Sequence, residues 1–293
     1  MKKIIIALFC SLPIFASVHV TAAYPYIGEL VKTIAKDKVE VSVIAQASSD
    51  PHFVTPRPSY IGILRNSDLL ILNGGDLEIG WIPPLLAQSN NPKIIQGASG
   101  YLDLSKYIKL IDKPTNLSRA GGDVHGDGNP HYSLDPHNML TLAKVIMLKL
   151  SNLDSANKNS YHANYDAFAL HWGEKLAQWD SKMGSCRNSK LVQYHELFSY
   201  FLNRYSISTA STIEPLPGIS PNSKHSMELI GLIRNEKIKL IIQDDYHETK
   251  SAQFIAEKSG AKAVILPHDV GALPNTASLE ALFDTIVAKI CQP

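Results

Sequence analysis

The sequence carries almost no net charge. Lys and Arg total 28 against 27 Asp and Glu, and charged residues make up only 19% of the 293. A chain so balanced has no electrostatic case for nucleic acid. Beyond residue 17 it also lacks any apolar run long enough to span a bilayer, which takes about 20 residues. Short catalytic signatures are missing as well. There is no HExxH helix of a zinc protease and no GxSxG elbow of a hydrolase. No internal repeat is visible, and nothing in the composition is disordered or fibrous. What is present is an ordinary globular balance, 45% hydrophobic, with length enough for two domains.

The one apolar run is at the start, MKKIIIALFCSLPIFAS. Lys2 and Lys3 supply a positive head, Ile4 to Phe15 an apolar stretch too short to span, and Ala16 a small cleavage residue. Residues 1–17 therefore read as a secretory signal peptide. An N-terminal anchor is the alternative, opposed by the polar chain that begins straight after. Cys10 follows the bulky Phe9, which argues against lipid attachment there. Without the leader, Lys plus Arg is 28 − 2 = 26 and Asp plus Glu stays 27, so the mature charge is −1.

Cysteine is scarce: three in all, of which Cys10 leaves with the leader. Cys186 and Cys291 remain. An even pair in an exported chain favours a disulfide that ties the C-terminal helix to its domain. Two free thiols are the alternative, because spacing does not show proximity.

Strand-like and helix-like runs alternate in both halves. The first half has strands at Val18–Ala22, Val39–Ala45 and Asp68–Asn73. Helices fall at Ile27–Ala35, Tyr60–Arg65 and in LEIGWIPPLLAQ, where Pro83 and Pro84 are expected to disturb the helix. Lys113–Asn129 is a polar, glycine-rich loop. Asp135-Pro136 reads as a helix start, with the helix running to about Leu150. In the second half, strands are expected at Lys190–Tyr194, Ile207–Thr212, Ile238–Gln243 and Ala261–Pro267. Helices alternate with them at Glu196–Tyr205, Ser226–Asn235, Ala252–Ser259 and Leu279–Ile290. Such alternation predicts parallel sheets covered by helices.

Between the halves, Asp154–Gly184 shows Tyr161, Tyr165, Phe168, Trp172, Leu176, Trp179 and Met183 at intervals of 3 or 4. That is one face of a helix roughly 40–45 Å long. It is too long for a crossover within one sheet, so it is expected to lie across two domains and link them. A plain surface helix is the alternative, disfavoured by the aromatic stripe. The organisation expected is a signal peptide (1–17), an N-terminal α/β lobe (18–152), a linking helix (153–185) and a C-terminal α/β lobe (186–293).

Of eleven histidines, three stand out by position. His52 follows the Val39–Ala45 strand, His195 directly follows Lys190–Tyr194, and His131 precedes a helix. Ligands of open α/β sheets bind beyond the carboxyl ends of the strands. Each histidine alone would be an ordinary loop residue. Together they point to a metal site in a cleft between the lobes, imidazole being the usual ligand for zinc-like ions.

Four motifs occur in order: DPHFVTPRPS from Asp50, NPHYSLDP from Asn129, YHELFSYF from Tyr194 and TIEPLPGISP from Thr212. They resemble the metal-ion solute-binding proteins of ABC importers, the zinc and manganese class, over about Val18 to Ile290. NSDLLILNGGDLEIGW and LFDTIVAKI look similar too. The resemblance implies two α/β lobes with parallel sheets joined by one long rigid helix, with the metal between them. By motif it implies His52, His131 and His195 as ligands. Three imidazoles favour zinc over manganese, whose binders tend to carry a carboxylate in the third place. The fourth family ligand is a carboxylate after a late strand. Asp269 in LPHDVGAL has that place, although this loop departs from the commoner aspartate-proline form. His268, Asp244 and Asp245 compete for the role. Glu214 is expected to support the site by hydrogen bonding or to cap a turn, and Asp135 to cap a helix. His125 is either a weak metal contact or a solvated loop residue.

The function implied is high-affinity capture of zinc in the periplasm, by a monomer, and its delivery to the membrane permease of an ABC transporter. The divalent metal ion is its cargo, and it is not expected to be an enzyme. The rival readings are a manganese or iron carrier on the same fold, a secreted zinc hydrolase, and a surface adhesin.

Overall fold

The computed structural model of the chain describes residues 17–114 and 125–291. The expected leader, but for Ser17, and residues 115–124 of the expected glycine-rich loop lie outside the described residues. Among the described residues no helix is long and apolar enough to cross a membrane.

Two parallel four-stranded sheets form the frame. The first is built from β1 (Val18–Ala22), β2 (Val39–Val43), β3 (Leu69–Leu72) and β4 (Tyr101–Asp103), in the order β2-β1-β3-β4. The second comprises β5 (Lys190–Gln193), β6 (Ser208–Thr212), β7 (Leu240–Gln243) and β8 (Lys262–Ile265), in the order β6-β5-β7-β8. The two sheets have the same winding, although the sequence shows no repeat. Val20 pairs with Val41 and with Leu69 in the first sheet, and Val192 with Ile241 in the second. β3 and β7 are buried along their whole length. Their apolar runs, LLIL and the LII that precedes Gln243, are what a strand covered on both faces requires. The three-residue β4 has no sequence counterpart among the expected strands. It is too short to show an alternation.

In the first lobe the helices are α1 (Pro25–Ala35), α2 (Pro58–Arg65), α3 (Ile82–Ser89) and α4 (Asn138–Leu153). Pro83 and Pro84 do not disturb α3, because they occupy its first turn. Backbone N–H groups there have no intrahelical partner to lose. α4 begins at Asn138 rather than at Pro136. Asp135 still serves its start, taking the His137 N–H at 3.0 Å.

The linking helix α5 spans Lys158–Met183, 26 residues, or roughly 39 Å. Its stripe is buried at Tyr161, Trp172, Leu176, Trp179 and Met183. The N-terminal half packs on α1 and α4, where Asn164 donates to the Ile34 carbonyl at 2.8 Å. The second lobe adds α6 (Ser199–Arg204), α7 (Ser223–Glu236), α8 (Lys250–Ser259) and α9 (Leu279–Cys291). The C-terminal half of α5 packs on α9. Phe283 of α9 meets Trp172 and Trp179 with ring centroids 5.9 and 5.5 Å apart. Asp284 accepts from the Trp179 indole at 2.8 Å and from Lys175 Nζ at 3.0 Å. The long helix is thus fixed to both lobes rather than lying on the surface.

Further bonds cross between the lobes. Arg204 donates to Asp135 Oδ2 at 2.7 and 3.1 Å, and Asn129 Nδ2 to the Glu196 carbonyl at 2.8 Å. Tyr200 Oη donates to the Asn129 carbonyl at 2.8 Å and accepts from the Ile111 N–H at 3.0 Å.

Cys186 and Cys291 are bonded, closing a loop with a sequence separation of 105. Restricting so long a loop in the unfolded chain stabilises by about 2–5 kcal/mol. Reduction, or Cys291→Ser, should therefore lower the unfolding free energy obtained from urea titration by that amount. Equal midpoints with and without reductant would count against a stabilising bridge.

Candidate metal centre

Three imidazoles meet where the carboxyl ends of the two sheets face each other. His52 lies in the turn after β2. Tyr24 Oη and the Trp81 indole both donate to the Pro51 carbonyl, at 2.9 and 3.2 Å, and so fix the turn. Asp50 Oδ1 lies 2.9 Å from both the His52 backbone N and its Nδ1. Burial would raise the Asp50 carboxyl, but hydrogen bonding and attraction to His52 outweigh it and hold it below the usual range. An ionised Asp50 accepts from Nδ1, which leaves Nε2 as the free donor atom of His52. That Nε2 is buried and has no hydrogen-bond partner among the described residues.

His131 enters from the loop before α4. Asn73 Nδ2 grips the Pro130 carbonyl at 3.0 Å, and Asn129 Oδ1 takes the His131 N–H at 2.9 Å. Asn73 is itself placed by the turn at Gly74, where φ is +78°. A Cβ on Gly74 would sit 1.7 Å from Asp103 Oδ1, so only glycine fits. Burial first, then the neighbouring His52 and His195, push the His131 imidazole well below its ordinary range. It is held neutral, the form that binds metal.

His195 directly follows Tyr194 at the end of β5, and its Nδ1 lies 2.8 Å from Glu214 Oε2. Glu214 comes just beyond β6 and is buried. Its burial would raise the carboxyl, but hydrogen bonds from His195 and His247 outweigh this and hold it at about 2. His195 Nε2 then points inward, 3.3 Å from His131 Nε2. The ring centroids of His52, His131 and His195 are 5.1, 5.3 and 5.5 Å apart. One nitrogen from each lies within 4.8 Å of the other two.

Asp269 falls outside that group. It is buried, and its Oδ1 accepts from the N–H groups of Tyr26, in α1 of the other lobe, and Val270 at 2.8 and 2.6 Å. Burial pushes its carboxyl up to about 7, against the pull of His268 and these two bonds. The competing groups are engaged elsewhere. His268 Nδ1 is 2.7 Å from Asp245, and Asp244 Oδ2 is 2.8 Å from His247 Nδ1. His125 is not in open solvent. Its ring stacks on His52 at 5.3 Å, and burial first lowers it to about 4.

Sequence reasoning passed over Asp50 and His247. Asp50 stands two residues before His52 in a turn, as many unremarkable aspartates do. His247 follows a buried strand end in an acid-rich run, QDDYHE, and that placement was a usable signal.

A family model described as zinc-uptake complex component A, periplasmic (ZnuA) matches residues 20–290. The high-affinity zinc uptake system protein ZnuA of Bacillus subtilis is 24% identical over 258 residues, 85% of this chain and 77% of that protein. The manganese ABC transporter substrate-binding lipoprotein PsaA of Streptococcus pneumoniae is 23% identical over 242 residues, 80% of this chain and 74% of its own. A crystal structure of ZnuA superposes with a TM-score of 0.76 at 21% identity, covering 94% of this chain and 98% of that one. That likeness is one of fold.

Glu214 and His131 set an acid limit for the metal-free protein. Glu214 is held near 2 against an ordinary 4.5, so its contribution is present above 4.5 and is lost as pH falls toward 2. His131 resists protonation when folded, so the unfolded chain gains protons first and stability also falls as pH drops below about 6.5. Urea titrations at stepped pH should show stability declining in the lower window; in the upper one Asp269, pushed up to about 7, acts in the opposite sense to His131. Glu214→Gln should flatten the lower one, and an unaltered slope there would refute the assignment.

Proposed function

This chain belongs to the ZnuA family of metal-binding components of ABC transporters, and on that premise we propose that its cargo is zinc, held by His52, His131 and His195. The observation that carries this reading is the 3.3 Å between His131 Nε2 and His195 Nε2. Two nitrogens bound to one zinc at ~2.0–2.1 Å with tetrahedral angles lie about 3.3 Å apart. The orphaned, buried Nε2 of His52 supplies the third donor. Three neutral imidazoles suit zinc better than the harder manganese ion.

Asp269 is the fourth ligand in this reading, through Oδ2, with Oδ1 retained by the N–H groups of Tyr26 and Val270. Its loop lies against the turn that leads to His52, since a Cβ on Gly271 would be 3.5 Å from Ala47. A filled shell of four protein donors suits capture. A catalytic zinc would keep a position for water. The carrier acts as a monomer in the periplasm after loss of residues 1–17, and passes the ion to a membrane permease. Its lobes are residues 18–152 and 186–293, with 153–185 between them.

Zinc and manganese competing for the metal-free protein test the choice of ion. Zinc should bind far more tightly, and tighter manganese would sink it. His131→Ala should weaken zinc more than about 100-fold, beyond the 10–100-fold cost of losing a supporting residue. Unchanged affinity in that variant would remove the site. Asp269→Ala should cost roughly tenfold, and no change would leave three protein ligands. Affinity should fall in acid, but below the ordinary imidazole value of about 6.5, because burial holds the His131 imidazole well under it.

A further inference from the structure

We propose that His247 is a positioning residue for the metal site, acting through Glu214 on His195. The proposal rests on the reading of His195 as a ligand.

A chain of side chains crosses the strand ends of the second sheet. Asp244, the first residue beyond β7, is buried and accepts from the backbone N–H groups of Tyr246 and His247 at 3.2 and 2.9 Å. Its Oδ2 lies 2.8 Å from His247 Nδ1. His247 Nε2 in turn lies 3.3 Å from Glu214 Oε1. Glu214 uses its other oxygen, Oε2, for His195 Nδ1 and for the Gly218 N–H at 3.2 Å. His195 Nε2 is the atom that faces His131.

The sheet order makes the span possible. β5 lies between β6 and β7, so a group from β7 must pass over β5 to reach Glu214. The His247 ring does so by stacking on Tyr194, at the end of β5, with centroids 4.3 Å apart and planes 23° from parallel. Tyr246 covers it from another side at 4.6 Å. The ring is therefore fixed by stacking, by the hydrogen bond to Asp244 at Nδ1 and by the ion-pair contact with Glu214 at Nε2.

Two consequences follow for His195. A buried carboxylate needs its lone pairs occupied, and His247 occupies the oxygen that His195 does not. Glu214 is thereby held in the rotamer that accepts from His195 Nδ1. An imidazole whose Nδ1 carries the proton presents a bare Nε2 to the ion. Without His247, Oε1 is orphaned and Glu214 is free to turn. His195 then samples the tautomer whose Nε2 carries the proton and cannot ligate.

The test compares His247→Phe, which keeps the stacking on Tyr194 but has no donor, with His247→Gln, which restores an N–H toward Glu214. Two quantities are read: zinc affinity, and the tautomer of His195 in the metal-free protein from its ring-nitrogen NMR shifts. His247→Phe should weaken zinc by roughly tenfold or more and give a mixture of His195 tautomers, with His247→Gln recovering most of both. A single Nδ1–H tautomer and wild-type affinity in His247→Phe would overturn the proposal. So would equal losses in the two variants, which would mean that the ring matters only for packing. His195→Ala is the reference. If that variant keeps wild-type zinc affinity, the reading of the site itself fails. If it loses zinc while His247→Phe does not, only the role of His247 falls.

Discussion

The contact of Asp284 with Trp179 and Lys175 is the one on which the meeting of the three histidines most depends. The candidate ligands belong to different lobes. His52 and His131 come from the first, His195 from the second. Nitrogens from two bodies stay 3.3 Å apart only if the bodies cannot drift. α5 supplies the stiffness, since its two halves pack on different lobes and its tryptophans are buried against both. Phe283 against the two indoles and Asp284 bonded to Trp179 and Lys175 make α9 part of the same block. The Arg204–Asp135 pair and the Tyr200–Asn129 bond then set the distance nearer the site. Packed interiors are nearly incompressible, so this arrangement holds the donors close before any ion arrives.

Held together, three imidazoles could still point the wrong nitrogen at the ion. Here two acids matter. Asp50 and Glu214 each take an Nδ1, so the donors that remain are Nε2 atoms. A buried carboxylate is costly unless it is paired and fully bonded. Glu214 is, by two histidines and a backbone N–H; Asp50, only half-buried, takes the His52 ring and backbone N–H on one oxygen. Charge that would weaken the fold by itself becomes the device that orients the site.

Much of this was legible in the residues. The aromatic stripe from Tyr161 to Met183 marked α5, because burying large rings demands a regular spacing. The apolar runs of β3 and β7 marked strands covered on both faces. His195 stood out by following a strand directly, and the fold brings it to His52 and His131. β4 was not legible, because three residues hold no period. The prolines of α3 misled, since a proline harms a helix only past its first turn and the sequence does not say where that turn begins. Asp50 and His247 were hidden for another reason. Their roles depend on which atoms meet across strands distant in sequence, and spacing along one chain does not carry that.

The bond between Cys186 and Cys291 turns the second lobe into a covalent ring. It joins the segment just past α5 to the last residue of α9, so every strand of the second sheet lies inside it. A protease that cuts once within the ring releases nothing. Both pieces stay tied at the sulfurs, on the same side of the cleft, with His195, Glu214 and His247 still on one tethered body. Wherever reductants are scarce, such a lobe can outlast a first nick that would end an open chain.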